Sequence, residues 1–437
     1  MKNEYLSIIR KSFFFLSIAF LGKISTFLFF IYIGRVYGAD VTGILSILIF
    51  FIEVVTAFCL LGLGMFFMKQ VSILNQKNDH FFLIKSLYKK LISVLIFIGI
   101  PVSIIIYFFH GYIAELIIGK PEIGIYLKWT SFIILPMIFL QFHSRFLQGL
   151  NKINAYTFFL ITSIPLFNLI LILVLDYLIS PNLENPIFTR LAACGLASLI
   201  CFLSLYYLFF IPTRTSIDVS DKLFDTLSIK EILFKSNPFM VAQLLFFLNN
   251  GVGIIIISNF LTLSDTGIYS SAFRVSFYLV LIINSINAFV MPKFSSLWAS
   301  KKKDELKNLY LKSNKFIFLT SFIIGSLAIT MSSQILNLFG SEFVAGSNAL
   351  RLLLMTQIIN SFFGPIEALL SMTDNQKILS HHLLINLINN IVLSIVLVNH
   401  VGILGIAIAF LISRTFFLLS LTKVFYKKIG FYPGSFI

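Results

Sequence analysis

Gly34-Arg-Val-Tyr-Gly-Ala-Asp-Val-Thr-Gly43-Ile-Leu-Ser46 closes one apolar run and opens the next, and Asn259-Phe-Leu-Thr-Leu-Ser-Asp-Thr-Gly267-Ile-Tyr-Ser270 does the same about 224 residues later. Each reads as a short polar turn ending in Thr-Gly-Ile before a new apolar run. Two further pairs follow in the same order. Ile113-Ala-Glu-Leu-Ile-Ile-Gly-Lys-Pro-Glu122 parallels Gln334-Ile-Leu-Asn-Leu-Phe-Gly-Ser-Glu342, both readable as short amphipathic segments on the outer surface of a membrane. Leu147-Gln-Gly-Leu-Asn-Lys152 parallels Leu370-Ser-Met-Thr-Asp-Asn-Gln-Lys377. Three matched pairs at nearly one offset indicate a duplicated unit.

The runs between these motifs are of membrane-spanning length, since about 20 residues of helix cross a hydrocarbon core of about 30 Å. Composition agrees: 58% hydrophobic and 12% charged residues, with a mean hydropathy of +0.96, leave too little polar surface for a soluble globule of 437 residues. The runs are too long for the alternating strands of a membrane barrel. The first, Ser12 to Gly34, outlasts the apolar part of a signal peptide and lacks its cleavage pattern, so it reads as helix 1. Twelve transmembrane helices are expected, at 12–34, 42–67, 88–109, 127–148, 153–178, 188–211, 236–261, 267–291, 312–333, 348–371, 378–399 and 401–423.

Charge orients them. Of the 33 Lys and Arg residues, 25 fall in seven polar intervals that alternate with intervals holding almost none, while acidic residues are spread evenly. Cation-rich loops stay in the cytoplasm, so both termini are expected there. The formal charge of +15 then reflects loops facing anionic lipid rather than nucleic acid.

Duplication of an even number of helices places both halves in the same orientation. An all-α membrane protein follows, with two six-helix lobes related by a pseudo-two-fold axis along the membrane normal and a central cavity between them. The expected domains are an N-terminal lobe at 1–211, a cytoplasmic linker at 212–235 and a C-terminal lobe at 236–437. Such bundles work by alternating access, so a transporter rather than an enzyme is the leading class.

With the loop cations assigned, Lys23, Arg274 and Arg414 remain inside spans, and Glu53 and Glu367 are read as the acids there. Each costs at least a few kcal/mol on insertion scales unless it faces a cavity, a bundle interior or a partner, so these five are the functional candidates. Lys23 and Glu53 lie at similar depth, about 16 Å from the outer ends of helices 1 and 2 by helical rise. They read either as a structural salt bridge or as cavity groups. Arg414 lies near mid-membrane with no acid at matching depth in helix 11, and is the foremost candidate for anion contact. Arg274 is nearer an outer helix end. Glu367 follows Gly364-Pro365, where a kink is expected, and reads as an ion-coupling or gating group or as an interfacial carboxylate. Asn249 and Asn250 are either polar cavity contacts or helix-to-helix hydrogen bonds. Three cations against two acids make a modestly positive cavity, suited to an anion such as a diphosphate.

Cys59, Cys194 and Cys201 have no metal or redox spacing, and no nucleotide-binding or hydrolase motif occurs. No metal or cofactor is expected. Most of the 51 phenylalanines are expected to face lipid.

The chain resembles the Wzx-type polysaccharide flippases, in the larger group that also holds MATE exporters and lipid II flippases. The resemblance rests on the twelve-helix length, on Gly34-Arg35-Val-Tyr-Gly38-Ala-Asp-Val-Thr-Gly43, on Phe146-Leu-Gln-Gly-Leu-Asn-Lys152 and on Gly402-Ile-Leu-Gly405-Ile-Ala-Ile-Ala409. It implies a multi-pass protein of the bacterial inner membrane that moves an undecaprenyl-diphosphate-linked oligosaccharide, such as an O-antigen repeat unit, between leaflets. It also implies cavity cations, which Lys23, Arg274 and Arg414 match, possible coupling to H+ or Na+, and a polysaccharide polymerase and chain-length regulator as partners. The alternatives are a MATE-like cation-coupled multidrug exporter, which calls for more buried carboxylates, and a membrane-embedded ligase or glycosyltransferase, which calls for longer outer loops.

Overall fold

The apolar runs form helices: α1 Ser17–Cys59, α2 Leu63–Leu74, α3 Leu83–Ile118, α4 Pro121–Gly149, α5 Ile153–Ile179, α6 Asn185–Phe209, α7 Ile229–Phe260, α8 Leu263–Ala299, α9 Lys303–Thr330, α10 Ser341–Phe363, α11 Ile366–Met372, α12 Gln376–Val401 and α13 Ile403–Ile429. They come from a computed structural model that describes residues 2–74, 81–210, 228–373 and 375–434. Among these, ten helices are long and apolar enough to cross a membrane, or eleven if α10 and α11, bent by 46°, form one span. The protein is an all-α, multi-pass membrane protein. Most of the expected linker at 212–235, with Arg214 and Lys222, lies outside the described residues, and its last residues open α7. The chain divides into two compact units, one of Met1–Val36 with Leu48–Leu244 and one of Tyr37–Ile47 with Leu245–Ile437.

The turn expected after helix 1 is compressed to a kink at Gly38, at φ 81°, which joins two helical limbs of α1, together 43 residues long. That φ is one that glycine adopts without penalty, so a single residue re-aims the chain. The limb that follows needs an N-terminal cap, and the Glu342 carboxylate supplies it by accepting from the Ala39 amide at 2.7 Å. In the second copy of the motif, Thr262 and Asp265 form a capping box at the start of α8. Glu342→Ala is therefore expected to lower stability by about 1 kcal/mol, read as a lower thermal unfolding midpoint in detergent.

The two motif copies pack on each other within the second unit, and the packing is reciprocal. A Cβ on Gly43 would lie 2.2 Å from the Leu263 carbonyl oxygen, and one on Gly267 would lie 2.0 Å from the Ala39 carbonyl oxygen. Ser46 and Ser270, 224 residues apart, share a hydrogen bond of 2.8 Å between their hydroxyls.

Each unit also has its own aromatic core. In the first, Phe67 stacks on Phe142 at 5.1 Å and meets Phe146 edge-on at 4.7 Å, with Tyr88 bonded to His143 at 2.9 Å. In the second, Tyr310 packs among Phe294, Phe425 and Phe431. Among the described residues, 17 Phe side chains are buried and 15 are exposed.

Candidate functional site

The bend between α10 and α11 builds the principal cleft of the second unit. Pro365 has no N–H to give the Ser361 carbonyl, and Gly364, at φ 58°, turns the chain there. The freed carbonyls are each satisfied. Ser361 accepts from the Gly364 amide at 3.0 Å, Phe362 from Asn314 Nδ2 at 3.1 Å, and Phe363 from the Tyr310 hydroxyl at 2.6 Å. Irregular backbone inside a membrane bundle is tolerated where protein groups take over its hydrogen bonds. A second loosening faces it at Tyr278–Leu279 in α8, where Tyr278 and Leu279 amides reach back only three residues.

Between these two irregular points lies a cleft of about 170 Å³, partly open, walled by α7, α8, α10, α11, α12 and α13. Arg414 of α13 projects into it. Its guanidinium donates to Asn360 Oδ1 at 2.9 Å and to the Glu367 carboxylate, and lies 4.8 Å from the Phe417 ring centroid. The acid that meets Arg414 is Glu367 of α11, beyond the 46° bend, and not one from the expected helix at 378–399, now α12. Asn249 and Asn250 both line the cleft. Asn249 also makes interhelical bonds, donating to the Leu383 carbonyl at 3.2 Å and accepting from Asn386 at 2.7 Å.

The other candidates stand elsewhere. Lys23 and Glu53, on the two limbs of α1 and both in the first unit, attract one another. Arg274 belongs to the second unit but does not line the cleft. Its guanidinium donates to Ser46 Oγ at 3.3 Å, at the crossing of the two motif copies.

Asp176 is a buried acid that the sequence reading left out, because it stands three residues from the end of α5. The Tyr32 hydroxyl donates to Asp176 Oδ2 at 2.8 Å, and Asn185 Nδ2 to Oδ1 at 2.8 Å. Counting it removes the one-charge margin on which the positive-cavity argument stood. The reading also missed Asn284, Asn287, Gln357, Asn360 and Asn386, all on the cleft wall. Their signal was available as amide pairs three residues apart, 284 with 287 and 357 with 360, in otherwise apolar helices, where such spacing shares one face. Among the described residues, no group of three His, Cys, Asp or Glu is placed to hold a metal.

Residues 8–298, more than half of the chain, match the family described as Polysaccharide biosynthesis protein. The chain belongs to the polysaccharide biosynthesis protein family. Residues 238–398 of this family member also match the MatE description. It is 27% identical over 166 residues to the probable low-salt glycan biosynthesis flippase Agl15 of Haloferax volcanii. That match spans 37% of this chain and about a third (34%) of the relative's length. Its fold is similar to an inward-facing multidrug resistance MATE family transporter of the MOP superfamily (TM-score 0.77, 15% identity, 96% of this chain and 98% of that one). It is also similar to the lipid II flippase MurJ in an inward closed conformation (TM-score 0.73, 16% identity, 96% and 88%).

Proposed function

We propose that this chain is a flippase carrying an undecaprenyl-diphosphate-linked oligosaccharide, an O-antigen repeat unit or similar glycan, from the cytoplasmic to the periplasmic leaflet of a bacterial inner membrane. Membership of the polysaccharide biosynthesis family carries the reading, and the similarity to a glycan flippase supports it. Counting the limbs of α1 separately and α10 with α11 as one span gives twelve crossings, with both termini cytoplasmic as the loop cations require. A polysaccharide polymerase and a chain-length regulator are the expected partners.

The polyprenyl tail stays in lipid while the head group is exposed alternately to the two sides. A diphosphate in surroundings of low dielectric needs cationic hydrogen-bond donors, and Lys23 and Arg274 are the proposed contacts. Phosphate oxygens would take the place now held by Glu53 at Lys23 and by Ser46 at Arg274. Arg414 is a further proposed contact once Glu367 releases it, and a proton or sodium ion on Glu367 or Glu53 is the proposed trigger. Such coupling works only through different affinities of the two access states for the ion.

The MatE match over residues 238–398 favours a second reading, a cation-coupled multidrug exporter. It expects loss of activity on removing acids and tolerance of lost cations. The test is complementation of a strain lacking its own O-unit flippase. Wild type is expected to restore surface polysaccharide, and a Lys23→Ala/Arg274→Ala chain of equal membrane abundance to restore about tenfold less, the effect of losing roughly 1.5 kcal/mol of charged hydrogen bonding. An abundant wild-type chain that restores nothing overturns the flippase reading. Drug resistance conferred by such a chain, kept in the double variant and lost in Glu53→Gln, favours the exporter.

A further inference from the structure

The polar wall of the second unit's cleft is made of amides, not charges. Seven Asn and Gln side chains line it, beside one cation and one acid that are bonded to each other, so its formal charge is zero. Two of the amides have orientations that the backbone dictates. Asn249 Nδ2 donates to the Leu245 carbonyl at 2.8 Å and the Leu383 carbonyl at 3.2 Å, leaving its Oδ1 to accept from Asn386 Nδ2 at 2.7 Å. Asn386 must therefore turn its Nδ2 toward Asn249, and its own Oδ1 is left without a donor. Asn287 Oδ1 is buried in the same condition.

A wall of amides selects what can fill the cleft. Phosphate oxygens bring acceptors only and can use just the N–H half of each amide, while the single guanidinium is already held by Glu367 and Asn360. A hydroxyl both donates and accepts, and matches amides on either count. Phe246, Phe277 and Phe410 add flat apolar faces of the kind that a pyranose covers with its C–H face.

Resting on the flippase reading, we infer that this cleft is a subsite for an uncharged sugar ring of the head group, with the Asn and Gln amides of its wall as hydrogen-bond partners. While Glu367 holds Arg414, the diphosphate is held elsewhere. The test uses the full chain purified in detergent, with N-acetylglucosamine, galactose and glucose as saturation-transfer NMR probes and inorganic pyrophosphate and sodium chloride as competitors. At least one sugar is expected to give a signal that falls about fivefold in Asn386→Leu and in Asn284→Leu, the loss of one hydrogen bond. Pyrophosphate is expected to leave it unchanged. Asn284 is exposed on the cleft wall, so its variant decides the matter if Asn386→Leu does not fold. The inference is overturned if no probe gives a signal, if the signal survives the substitution in a folded variant, or if pyrophosphate or sodium displaces the sugar. Sugar binding without complementation sinks the flippase reading alone, and complementation without sugar binding sinks only this subsite.

Discussion

Arg414→Gln and Glu367→Gln are each expected to destabilise the folded chain by about 2 kcal/mol, and the double substitution to recover most of that loss. Breaking a fully buried ion pair costs about 3–5 kcal/mol, because one charge is left uncompensated in a medium of low dielectric. Here the Arg414 side chain is 18% exposed and the Glu367 side chain 35%, so the carboxylate keeps part of its hydration from the cleft and the cost falls. Unfolding of the four proteins in one detergent, assembled as a double-mutant cycle, measures the coupling. An interaction energy near zero would sink the idea that the two charges hold each other in place. The double variant also separates two roles. If the pair only braces α11 against α13, the double variant restores polysaccharide as wild type does. If Glu367 must release Arg414 during transport, the double variant is stable and inactive.

That this pair went unseen in the sequence has a geometric cause. Depth along a straight helix is readable from residue counts, and on that measure Arg414 had no acid beside it in helix 11. A bend of 46° at Gly364-Pro365 changes which residues share a depth, and its sharpness depends on Asn314 and Tyr310 taking the freed carbonyls of Phe362 and Phe363. Nothing within the local sequence of α10 shows those partners. Gly38 is a similar case, since its cap, Glu342, stands 303 residues away from the Ala39 amide it bonds. The helical class, the membrane and the repeated motifs were legible because each rests on runs of residues, where many weak preferences add. The cleft was half legible. Asn249 and Asn250 were singled out as adjacent polar residues in an apolar span, whereas Asn284 with Asn287 and Gln357 with Asn360 carry the same signal at helical spacing.

Gly267→Val is expected to have the second large effect, a loss of about 3 kcal/mol or more and a matching fall in membrane abundance. Ordinary overpacking is relieved by moving a side chain. At Gly267 the obstacle is the Ala39 carbonyl oxygen, 2.0 Å from where a Cβ would stand, with the Gly43 amide nitrogen at 3.0 Å, so two backbones must separate. Gly43→Val should behave alike, because the Leu263 carbonyl oxygen lies 2.2 Å from its Cβ position. Ser46→Ala is the contrast: it removes the 2.8 Å bond to Ser270 and the 3.3 Å bond from Arg274 and leaves the packing, and bonds of that kind inside membrane bundles average about 0.6 kcal/mol each. Abundance on fluorescence-detected size exclusion would rank the three. A Gly267→Val chain as abundant and as thermally stable as wild type would show that the close approach is not needed.

The crossing at Gly43 and Gly267 has the logic of a symmetric dimer interface, in which residue i of one partner meets residue j of the other and j meets i in return. Here both partners lie in one polypeptide. Two such motifs on separate chains would find each other only as fast as concentration in the bilayer allows. Covalent linkage replaces that concentration with a fixed, high effective one, so the association needs no further contact area to persist. Ala39, Gly43 and Ser46 are thereby tied to Leu263, Gly267 and Ser270 as mutual constraints: a side chain that grows on one copy is opposed by the backbone of the other.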